Sequence, residues 1–274
     1  MEQPINIATA GILPETTAEP AKKKRNRPDF DRPKILGLKQ LLQKNYAFLQ
    51  GLPPEFTASF GDLVKNFVML VYGESGNGKS NFIMQLLKAL MPHGNVLYVS
   101  LEEGTESTMQ LMALRHLSED SHSGKIQFAD TTMTYQALCW QLDKKKQAQF
   151  IVIDSVQYWH ITYEQYKRLK ERFPKKSFIF ISHAEGSSPD GHTAKKIKYD
   201  SGIKVRVEGY IAFVKSRYGG NIPYLIWEGD DTKGAKAYWG SLFKDAVAGK
   251  SLKAKAAKKS KPKKEKKEGK DNAS

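Results

Sequence analysis

Short apolar runs alternate with segments of helical periodicity through the middle of the chain. The strand-like apolar runs are 66–73, 95–103, 125–130, 149–155 and 177–183. The segments that repeat apolar residues at helical spacing are 80–91, 105–117, 134–146 and 162–173. Because interleaved strands and helices are typical of right-handed crossovers, the pattern predicts an α/β fold, with helices on both faces of a mostly parallel central sheet.

The flanking parts of this region follow other patterns. Residues 206–218 and 222–229 flank the turn sequence 219–221 and therefore predict a C-terminal β-hairpin. The segment 183–202 is rich in Gly, Ser, Pro and Asp and is predicted to be a loop. A candidate helix at 37–52 precedes the first strand.

A glycine-rich sequence, YGESGNGKSN at 72–81, joins the first strand to the first long helix. It fits the pattern of a phosphate-binding loop, in which glycines turn successive backbone N–H groups toward a phosphate at the start of a helix. We expect Lys79 to reach the β- and γ-phosphates of ATP and the Ser80 hydroxyl to coordinate Mg²⁺. The predicted ATP contacts are Gly73, Glu74, Ser75, Gly76, Asn77, Gly78, Lys79, Ser80 and Asn81.

Acidic residues lie at the ends of two other predicted strands. Asp154 follows the apolar run FIVI, where an aspartate is costly unless it is paired or bound to a metal, so it is predicted to be the second Mg²⁺ ligand. Hydrolysis also requires a base or a group that positions water. Glu102, at the end of VLYVSLE, is predicted to be this group, and the neighbouring Glu103 is the competing choice.

Positive charge is concentrated at the two ends of the chain. The formal net charge is +15, and the last 31 residues hold twelve lysines against four acidic residues. Both ends lack the apolar residues that a packed core requires, so 1–35 and 247–274 are predicted to be disordered basic segments around a core at 36–246. Such a tail either improves solubility or binds an anionic polymer, and the one-sided charge favours nucleic acid.

The remaining composition excludes several classes of protein. Cys139 is the only cysteine, which excludes an intramolecular disulfide and a cysteine-based zinc site and fits a reducing, cytoplasmic location. No apolar run approaches the roughly 20 residues of a membrane span, and no charged start followed by an apolar core predicts a signal peptide. His183 and His192 lack the further ligand spacing that would predict a metal site. We therefore expect no membrane partner.

Four motifs occur in the order found in one family of ATPases. YGESGNGKS, VLYVSLEEGTESTMQLMALRHL, IVIDSVQ and VKSRYGG resemble segments of RecA-like ATPases, in the branch that holds RadA and the DnaB-type helicases. The resemblance spans roughly residues 50–230 and implies a RecA-like core with ATP sites between the subunits of a hexameric ring or a filament. It also implies that Glu102 is the catalytic glutamate, that Asp154 is the Walker B aspartate and that Ser182 or His183 senses the γ-phosphate.

The segment Lys215-Ser216-Arg217-Tyr218-Gly219 carries the most specific part of this resemblance. It is similar to the Lys-Asn-Arg-Phe-Gly motif of RadA and to the Lys-x-Arg of DnaB-type helicases, whose cations reach the ATP of a neighbouring subunit. The resemblance thus implies a catalytic role in trans for Lys215 and Arg217. Residues i and i+2 of a strand point to the same face, so both cations can approach one triphosphate. An exposed basic strand face is the alternative interpretation.

Lysines in the predicted loop 183–202 are the candidate residues for binding nucleic acid. In the family this position holds a loop that contacts DNA in the central channel, so the resemblance implies that Lys195, Lys196 and Lys198 bind nucleic acid without reading its sequence. The chain is thus predicted to be an oligomeric ATPase that depends on single-stranded DNA, a helicase-like or accessory protein of recombination, repair or replication. An ATP-dependent switch or adaptor with slow turnover, and a small-molecule kinase, are the alternatives.

Overall fold

The computed structural model describes residues 35–144 and 147–250. Almost all of the two basic segments that are predicted at the ends of the chain therefore lies outside the described residues. The chain divides into two units between Asn45 and Tyr46. Within the described residues, the first unit contributes one short helix, α1 (Leu38–Leu42), and the second unit contains the other elements.

The described residues form nine β-strands. In chain order they are β1 (Val68–Gly73), β2 (Val96–Ser100), β3 (Ile126–Ala129), β4 (Phe150–Asp154), β5 (Ser177–Glu185), β6 (Ser188–Pro189), β7 (Ile203–Glu208), β8 (Ile211–Ser216) and β9 (Tyr224–Leu225). Eight of them form one sheet in the order β3-β2-β4-β5-β1-β7-β8-β9, and β6 pairs with the end of β5. The strands from β3 to β7 in this order are parallel, whereas β8 and β9 each pair antiparallel to the preceding strand. The prediction of a mostly parallel sheet is confirmed.

Helices connect these strands. After α1 they are α2 (Pro54–Phe60), α3 (Lys79–Leu90), α4 (Ser107–Leu117), α5 (Tyr135–Asp143), α6 (Val156–Trp159), α7 (Tyr163–Arg172), α8 (His192–Asp200), α9 (Gly234–Trp239) and α10 (Phe243–Val247). Short 3₁₀ turns occur at Met91–His93, Ser123–Lys125 and Gly240–Leu242. In the part of the chain that the structure describes, no helix is long and apolar enough to cross a membrane.

The first face of the sheet is covered by α2, α3 and α4. These helices bury side chains such as Phe60, Phe82 and Met109 against the strand residues Val71 and Val152. We call this side the α3 face, because α3 is the helix that follows the glycine-rich loop. Burial of both faces explains why the parallel strands are almost continuously apolar.

The opposite face of the sheet is covered by α5, α6, α7 and α8. Leu138, Trp159, Tyr166 and Ile197 pack there against strand residues that include Leu70. Successive residues of β1 thus enter different cores, as the two-residue period of a strand requires. The same alternation decides which polar side chains at the strand ends face α3.

The sequence pattern predicts one strand over 206–218, and the structure corrects this. β7 ends at Glu208, and Gly209 and Tyr210 form a two-residue turn with φ values of 51° and 60°. Two positive φ values suit the turns whose twist matches that of antiparallel strands. The predicted turn at 219–221 joins β8 to β9, so the predicted C-terminal hairpin is present and a second hairpin precedes it.

The segment 183–202 is not a loop throughout, contrary to the prediction. β5 extends into it, β6 follows, and α8 occupies its second half. Ala194 and Ile197 are three residues apart and both are buried, so α8 packs one face on the sheet. The surrounding glycine, serine and proline residues conceal this short helical repeat. The three lysines predicted on a loop, Lys195, Lys196 and Lys198, therefore lie on a helix.

The candidate helix at 37–52 is mostly wrong. Only α1 is helical there, and Phe48 instead pairs with Val64 in an isolated β-bridge. α2 begins shortly afterwards, with Pro54 at its first position, where the missing N–H of proline has no cost. The sequence pattern gave no indication of α9 or α10, which pack with Ile211 in a small separate core.

Candidate nucleotide-binding site

The glycine-rich loop joins the end of β1 to the start of α3. Gly78 has a φ of 96°, a left-handed conformation that favours glycine, and α3 begins at the next residue, Lys79. Gly73 lies against β7, where an added Cβ would come within 2.2 Å of the Val207 carbonyl oxygen. The first N–H groups of α3 have no partner within the helix, so the loop presents backbone donors to an anion.

The Lys79 side chain folds back over this loop. Its Nζ donates hydrogen bonds to the carbonyl oxygens of Gly73, at 2.9 Å, and Glu74, at 3.0 Å. Burial lowers the pKa of Lys79, and the carboxylates of Asp154, Glu102 and Glu74 act in the opposite direction. The structure thus brings the predicted phosphate-binding lysine and the two predicted strand-end carboxylates into one electrostatic group.

Asn77, at the centre of the loop, is attached to the turn between β7 and β8. The Gly209 N–H donates to Asn77 Oδ1 at 2.7 Å, and the Tyr210 N–H donates to the Asn77 carbonyl oxygen at 3.1 Å. The Tyr210 ring also packs on the loop, since a Cβ at Gly78 would lie 2.9 Å from it. The Asn77 side chain therefore supports the loop. The sequence could not predict this contact, because Asn77 and Gly209 are 132 residues apart.

Asn81, the last predicted ATP contact, is linked to α4. Its Oδ1 lies 2.9 Å from His116 Nε2. Burial lowers the pKa of His116, and the charges of Arg115 and Lys88 lower it further, so the ring is neutral near pH 7. A neutral ring that donates from Nε2 fixes the Asn81 side chain beside the loop. The sequence motifs did not single out His116.

Asp154 ends β4 and is largely buried. Its Oδ2 accepts a 2.5 Å hydrogen bond from the hydroxyl of Tyr98, a residue of β2. Burial raises the pKa of Asp154 to about 6, the hydrogen bond from Tyr98 opposes this rise, and Glu102 and Glu103 add to it. A buried carboxylate with a raised pKa is a group that gains from a nearby cation.

Oxygen donors around Asp154 fit a magnesium ion. Ser80 lies in the first turn of α3, and the buried hydroxyls of Ser100 and Ser155 have no hydrogen-bond partner among the described residues. Mg²⁺ binds through one or two carboxylates, phosphate oxygens and several waters, and unpaired buried hydroxyls are the groups that such waters satisfy. The described residues contain no cluster of three or more His, Cys, Asp or Glu that could hold a metal without a nucleotide.

Glu102 is tied to the strand that carries the two candidate sensors. Glu102 Oε2 lies 3.1 Å from His183 Nε2, and both side chains are about one third exposed, at 33% and 30%. Glu102 also contributes to the electrostatic surroundings of Lys79. Of the two neighbouring glutamates, Glu102 is thus the one that the structure connects to the rest of the site, while Glu103 acts on the pKa of Asp154 from a distance.

Strand alternation separates Ser182 from His183. Ser182 follows Phe180 on the face opposite α3, where its buried Oγ accepts a 2.8 Å hydrogen bond from Gln157 Nε2. His183 follows Ile181 on the α3 face and contacts Glu102. His183 is therefore the candidate that faces the glycine-rich loop. Gln157, the last residue of the motif IVIDSVQ, for which no role was predicted, holds the His183 backbone by accepting from its N–H at 3.3 Å.

Lys215 and Arg217 lie at the opposite end of the strands from the glycine-rich loop. Gly73 pairs with His183 at the edge that carries the glycine-rich loop, whereas Met69 pairs with Ile203, and Ile203 with Ser216, at the opposite end of these strands. The two cations therefore do not belong to the nucleotide site of their own chain. Both are exposed, and Lys204, directly across the ladder from Lys215, adds a third positive charge on the same side.

The α8 lysines make individual surface contacts. Lys195 Nζ lies 3.6 Å from Glu185 Oε2, Lys196 lies over the Tyr163 ring and Lys198 over the Tyr72 ring. α8 follows β5, so these lysines are close in the chain to His183 but on the face opposite α3. A cleft of about 520 Å³ between α6 and the start of α8 includes Lys196 in its wall.

Comparison with known proteins identifies similar folds only. No protein-family model and no curated protein matches the chain. One similar solved structure is the flagellar accessory protein FlaH from Methanocaldococcus jannaschii, with a TM-score of 0.46 and 15% identity over 65% of this chain and 94% of that chain. Another is the ATP synthase subunit NeqB from Nanoarcheaum equitans, with a TM-score of 0.43 and 9% identity over 60% of this chain and 51% of that chain. The chain thus spans about half of NeqB.

Proposed function

We propose that this chain is an ATPase of the RecA-like type that acts as a homo-oligomer, either a hexameric ring or a filament, and is stimulated by nucleic acid. The observation that carries the proposal is the grouping of Lys79, Asp154 and Glu102, whose charges interact at the carboxyl ends of β1, β4 and β2. Ligands of open α/β sheets bind at this edge of the strands. A phosphate-binding loop beside two carboxylates suits a nucleoside triphosphate with its metal.

The phosphates of ATP would lie in the loop from Gly73 to Ser80. Backbone N–H groups at the start of α3 bind phosphate oxygens, and the Lys79 ammonium exchanges its two loop carbonyls for the β- and γ-phosphates. Ser80 and Asp154 would hold Mg²⁺. The ion supplies charge neutralisation between the β- and γ-phosphates when it is bound.

Glu102 would act on the attacking water. Its carboxylate accepts a proton from the water as the new O–P bond forms and the bond to the β-phosphate oxygen breaks, which releases ADP. His183, which contacts Glu102, lies on the same face of the sheet and would donate a hydrogen bond to the γ-phosphate. Glu102 and His183 are therefore proposed as the base and the γ-phosphate sensor.

Lys215 and Arg217 would complete the site of a neighbouring subunit. They lie at the strand ends opposite the glycine-rich loop. This position suits a head-to-tail arrangement, in which the end of one subunit that carries the two cations meets the end of the next subunit that carries the loop. Arginine supplied in trans stabilises the charge of the transferred phosphoryl group. This supports the branch of RadA and the DnaB-type helicases as the model for this chain.

Single-stranded DNA is the proposed activator. Lys195, Lys196 and Lys198 form a basic helix surface on α8, which is connected through β6 to the strand that holds His183. The lysine-rich segment 247–274, most of which lies outside the described residues, would add sequence-independent affinity for phosphates. We propose a role in recombination, repair or replication on this basis.

The test is the ATP hydrolysis rate of the full chain with and without single-stranded DNA. The proposal expects Mg²⁺-dependent hydrolysis that rises when DNA is added and is lost in Lys79→Ala. A steady rate that DNA leaves unchanged would contradict the proposed activator. Nucleotide binding that persists in Lys79→Ala would contradict the site itself.

A second candidate is an ATP-dependent switch or adaptor protein with slow turnover. The contact between Glu102 and His183 favours it, because it engages the carboxylate of the proposed base in an interaction with a protein side chain. Such a protein would bind ATP tightly, change its oligomeric state and hydrolyse ATP at a rate that DNA does not alter. Sedimentation with ATP and with ADP, measured together with the hydrolysis rate, separates the two functions.

A further inference from the structure

β2 carries two polar side chains beside Asp154 that the proposed hydrolysis does not use. The Tyr98 hydroxyl donates to Asp154 Oδ2 at 2.5 Å, and the Tyr98 ring is fully buried in the core beneath α3. Ser100 is 1% exposed, and its Oγ finds no hydrogen-bond partner in the described residues. A buried hydroxyl without a partner destabilises a protein, so its presence calls for a ligand or a water.

The strand register places these groups together. Ser100 and Asp154 are direct neighbours across the β2–β4 ladder, so their side chains lie on the same face of the sheet. Tyr98, two residues before Ser100, shares that face. It is the α3 face, and α3 begins with Lys79 and Ser80. The polar groups therefore lie at the strand ends below the helix that would bind the phosphates.

We propose that Tyr98 and Ser100 are positioning residues for the Mg²⁺ of this site, an inference that rests on the proposed function. Tyr98 occupies Oδ2 of Asp154 and fixes the orientation of the carboxylate, which leaves Oδ1 for the ion or for one of its waters. The Ser100 hydroxyl supplies a hydrogen bond to a metal-bound water.

The chemistry of Mg²⁺ supports this assignment. The ion loses its waters reluctantly and is usually held by few protein oxygens, so side chains that hydrogen-bond to its waters also help to hold it. Groups that orient a metal-bound carboxylate are second in importance only to the ligands, and their removal costs about 10- to 100-fold in metal affinity. Tyr98 donates to the carboxylate that would hold the ion, and Ser100 lies beside that carboxylate across the β2–β4 ladder.

The experiment measures nucleotide affinity as a function of Mg²⁺ in the full chain. A fluorescent, non-hydrolysable ATP analogue is titrated into wild type, Tyr98→Phe and Ser100→Ala, first in EDTA and then over a series of MgCl₂ concentrations. Tyr166→Phe and Ser177→Ala are matched controls. Tyr166 also donates to an aspartate, Asp200, but on the other face, and Ser177 is a buried serine that donates to the Lys65 carbonyl oxygen.

We expect the Mg²⁺ concentration for half-maximal tightening to rise about tenfold or more in Tyr98→Phe and in Ser100→Ala. It should stay at the wild-type value in the two controls, and affinity in EDTA should be the same in all five proteins. Unchanged midpoints in both variants, with a Mg²⁺-dependent wild type, would overturn the inference alone. A wild type whose affinity does not depend on Mg²⁺ would overturn the inference together with the proposed metal site. Thermal unfolding of each protein shows that the variants are folded.

Discussion

Glu102 and His183 contact each other across the end of the sheet, with Glu102 Oε2 3.1 Å from His183 Nε2. Glu102 follows the end of β2 and His183 lies in β5, and β4 lies between these two strands in the sheet. The pair therefore spans the strand that carries Asp154. It links the proposed base, the proposed γ-phosphate sensor and the proposed metal ligand in one place, and it makes the roles of these side chains testable.

Glu102→Gln should retain nucleotide binding and lose hydrolysis. Removal of the base is expected to lower the turnover rate by about 10²- to 10⁴-fold, because the attacking water loses its proton acceptor. Equilibrium binding of an ATP analogue and steady-state phosphate release measure the two effects. Glu103→Gln is the control and should hydrolyse ATP at close to the wild-type rate. A slow Glu103→Gln beside a normal Glu102→Gln would transfer the role to Glu103.

His183→Ala should hydrolyse ATP far more slowly than Ser182→Ala. Only His183 lies on the α3 face, so only its loss removes a hydrogen-bond donor from the developing charge of the γ-phosphate, and we expect a decrease of about 10²-fold. The Ser182 hydroxyl points to Gln157 on the other side of the sheet, so its removal should have little effect on the rate. The reverse order of the two rates would show that Ser182 is the sensor.

Arg217→Ala should bind ATP normally and hydrolyse it about 10³- to 10⁵-fold more slowly, if the arginine acts on a neighbour. Mixing it with Glu102→Gln protein should restore some activity, because a mixed junction joins an intact Glu102 to an intact Arg217. Arg168→Ala, which removes an exposed arginine from α7, is the control. A monomeric protein that keeps its full rate in Arg217→Ala would exclude the role in trans.

Asp154→Asn should stabilise the metal-free protein at neutral pH. Burial raises the pKa of Asp154 from 3.8 to about 6. The folded state therefore loses stability as the pH rises from the ordinary carboxyl pKa toward 6, because the buried carboxylate must ionise, and the full loss is present above about pH 6. Relative to wild type in EDTA, the variant should gain about 2–3 kcal/mol at pH 8, the free energy that corresponds to a rise of about two in the pKa, and almost nothing below about pH 4.

The control for this prediction is Asp200→Asn, which should change the stability in the opposite direction. Burial raises the pKa of Asp200, but the hydrogen bonds from Lys170 and Tyr166 outweigh burial and leave this pKa below its usual value. Asp200→Asn should therefore destabilise the protein at neutral pH, and the loss should shrink as the pH falls toward acid. Chemical denaturation at several pH values measures both variants. A gain for Asp154→Asn that does not depend on pH would show that charge is not its cause.

Replacing Lys195, Lys196 and Lys198 by alanine should weaken binding to single-stranded DNA and reduce its salt dependence. Three lost phosphate contacts lower the slope of log affinity against log salt by about 2. Fluorescence anisotropy with a labelled oligonucleotide at several salt concentrations measures the slope. A triple alanine variant of Lys233, Lys236 and Lys244, near α9 and α10, removes the same charge elsewhere. Equal slopes for the two variants would mean that α8 is not the binding surface.

Local sequence determined most of the elements that build the site. The P-loop pattern, the apolar strands and the aspartate after FIVI each depend on a few consecutive residues, and the structure has β1, α3 and β4 at those positions. The α/β class followed from their alternation. A positive φ favours glycine at that position, and a strand buried on both faces requires consecutive apolar residues, so both features can be recognised from a few neighbouring residues.

Only the tertiary structure decided between neighbouring candidates and supplied their partners. Ser182 and His183 are adjacent in the chain, but the pleat of β5 sends them to opposite faces, and Tyr98, 56 residues away from Asp154, donates to its carboxylate. Lys215 and Arg217 lie at the strand ends opposite the glycine-rich loop because of the register of β1, β7 and β8. Contacts between distant segments arise from strand order and side-chain packing, and no short stretch of residues encodes them.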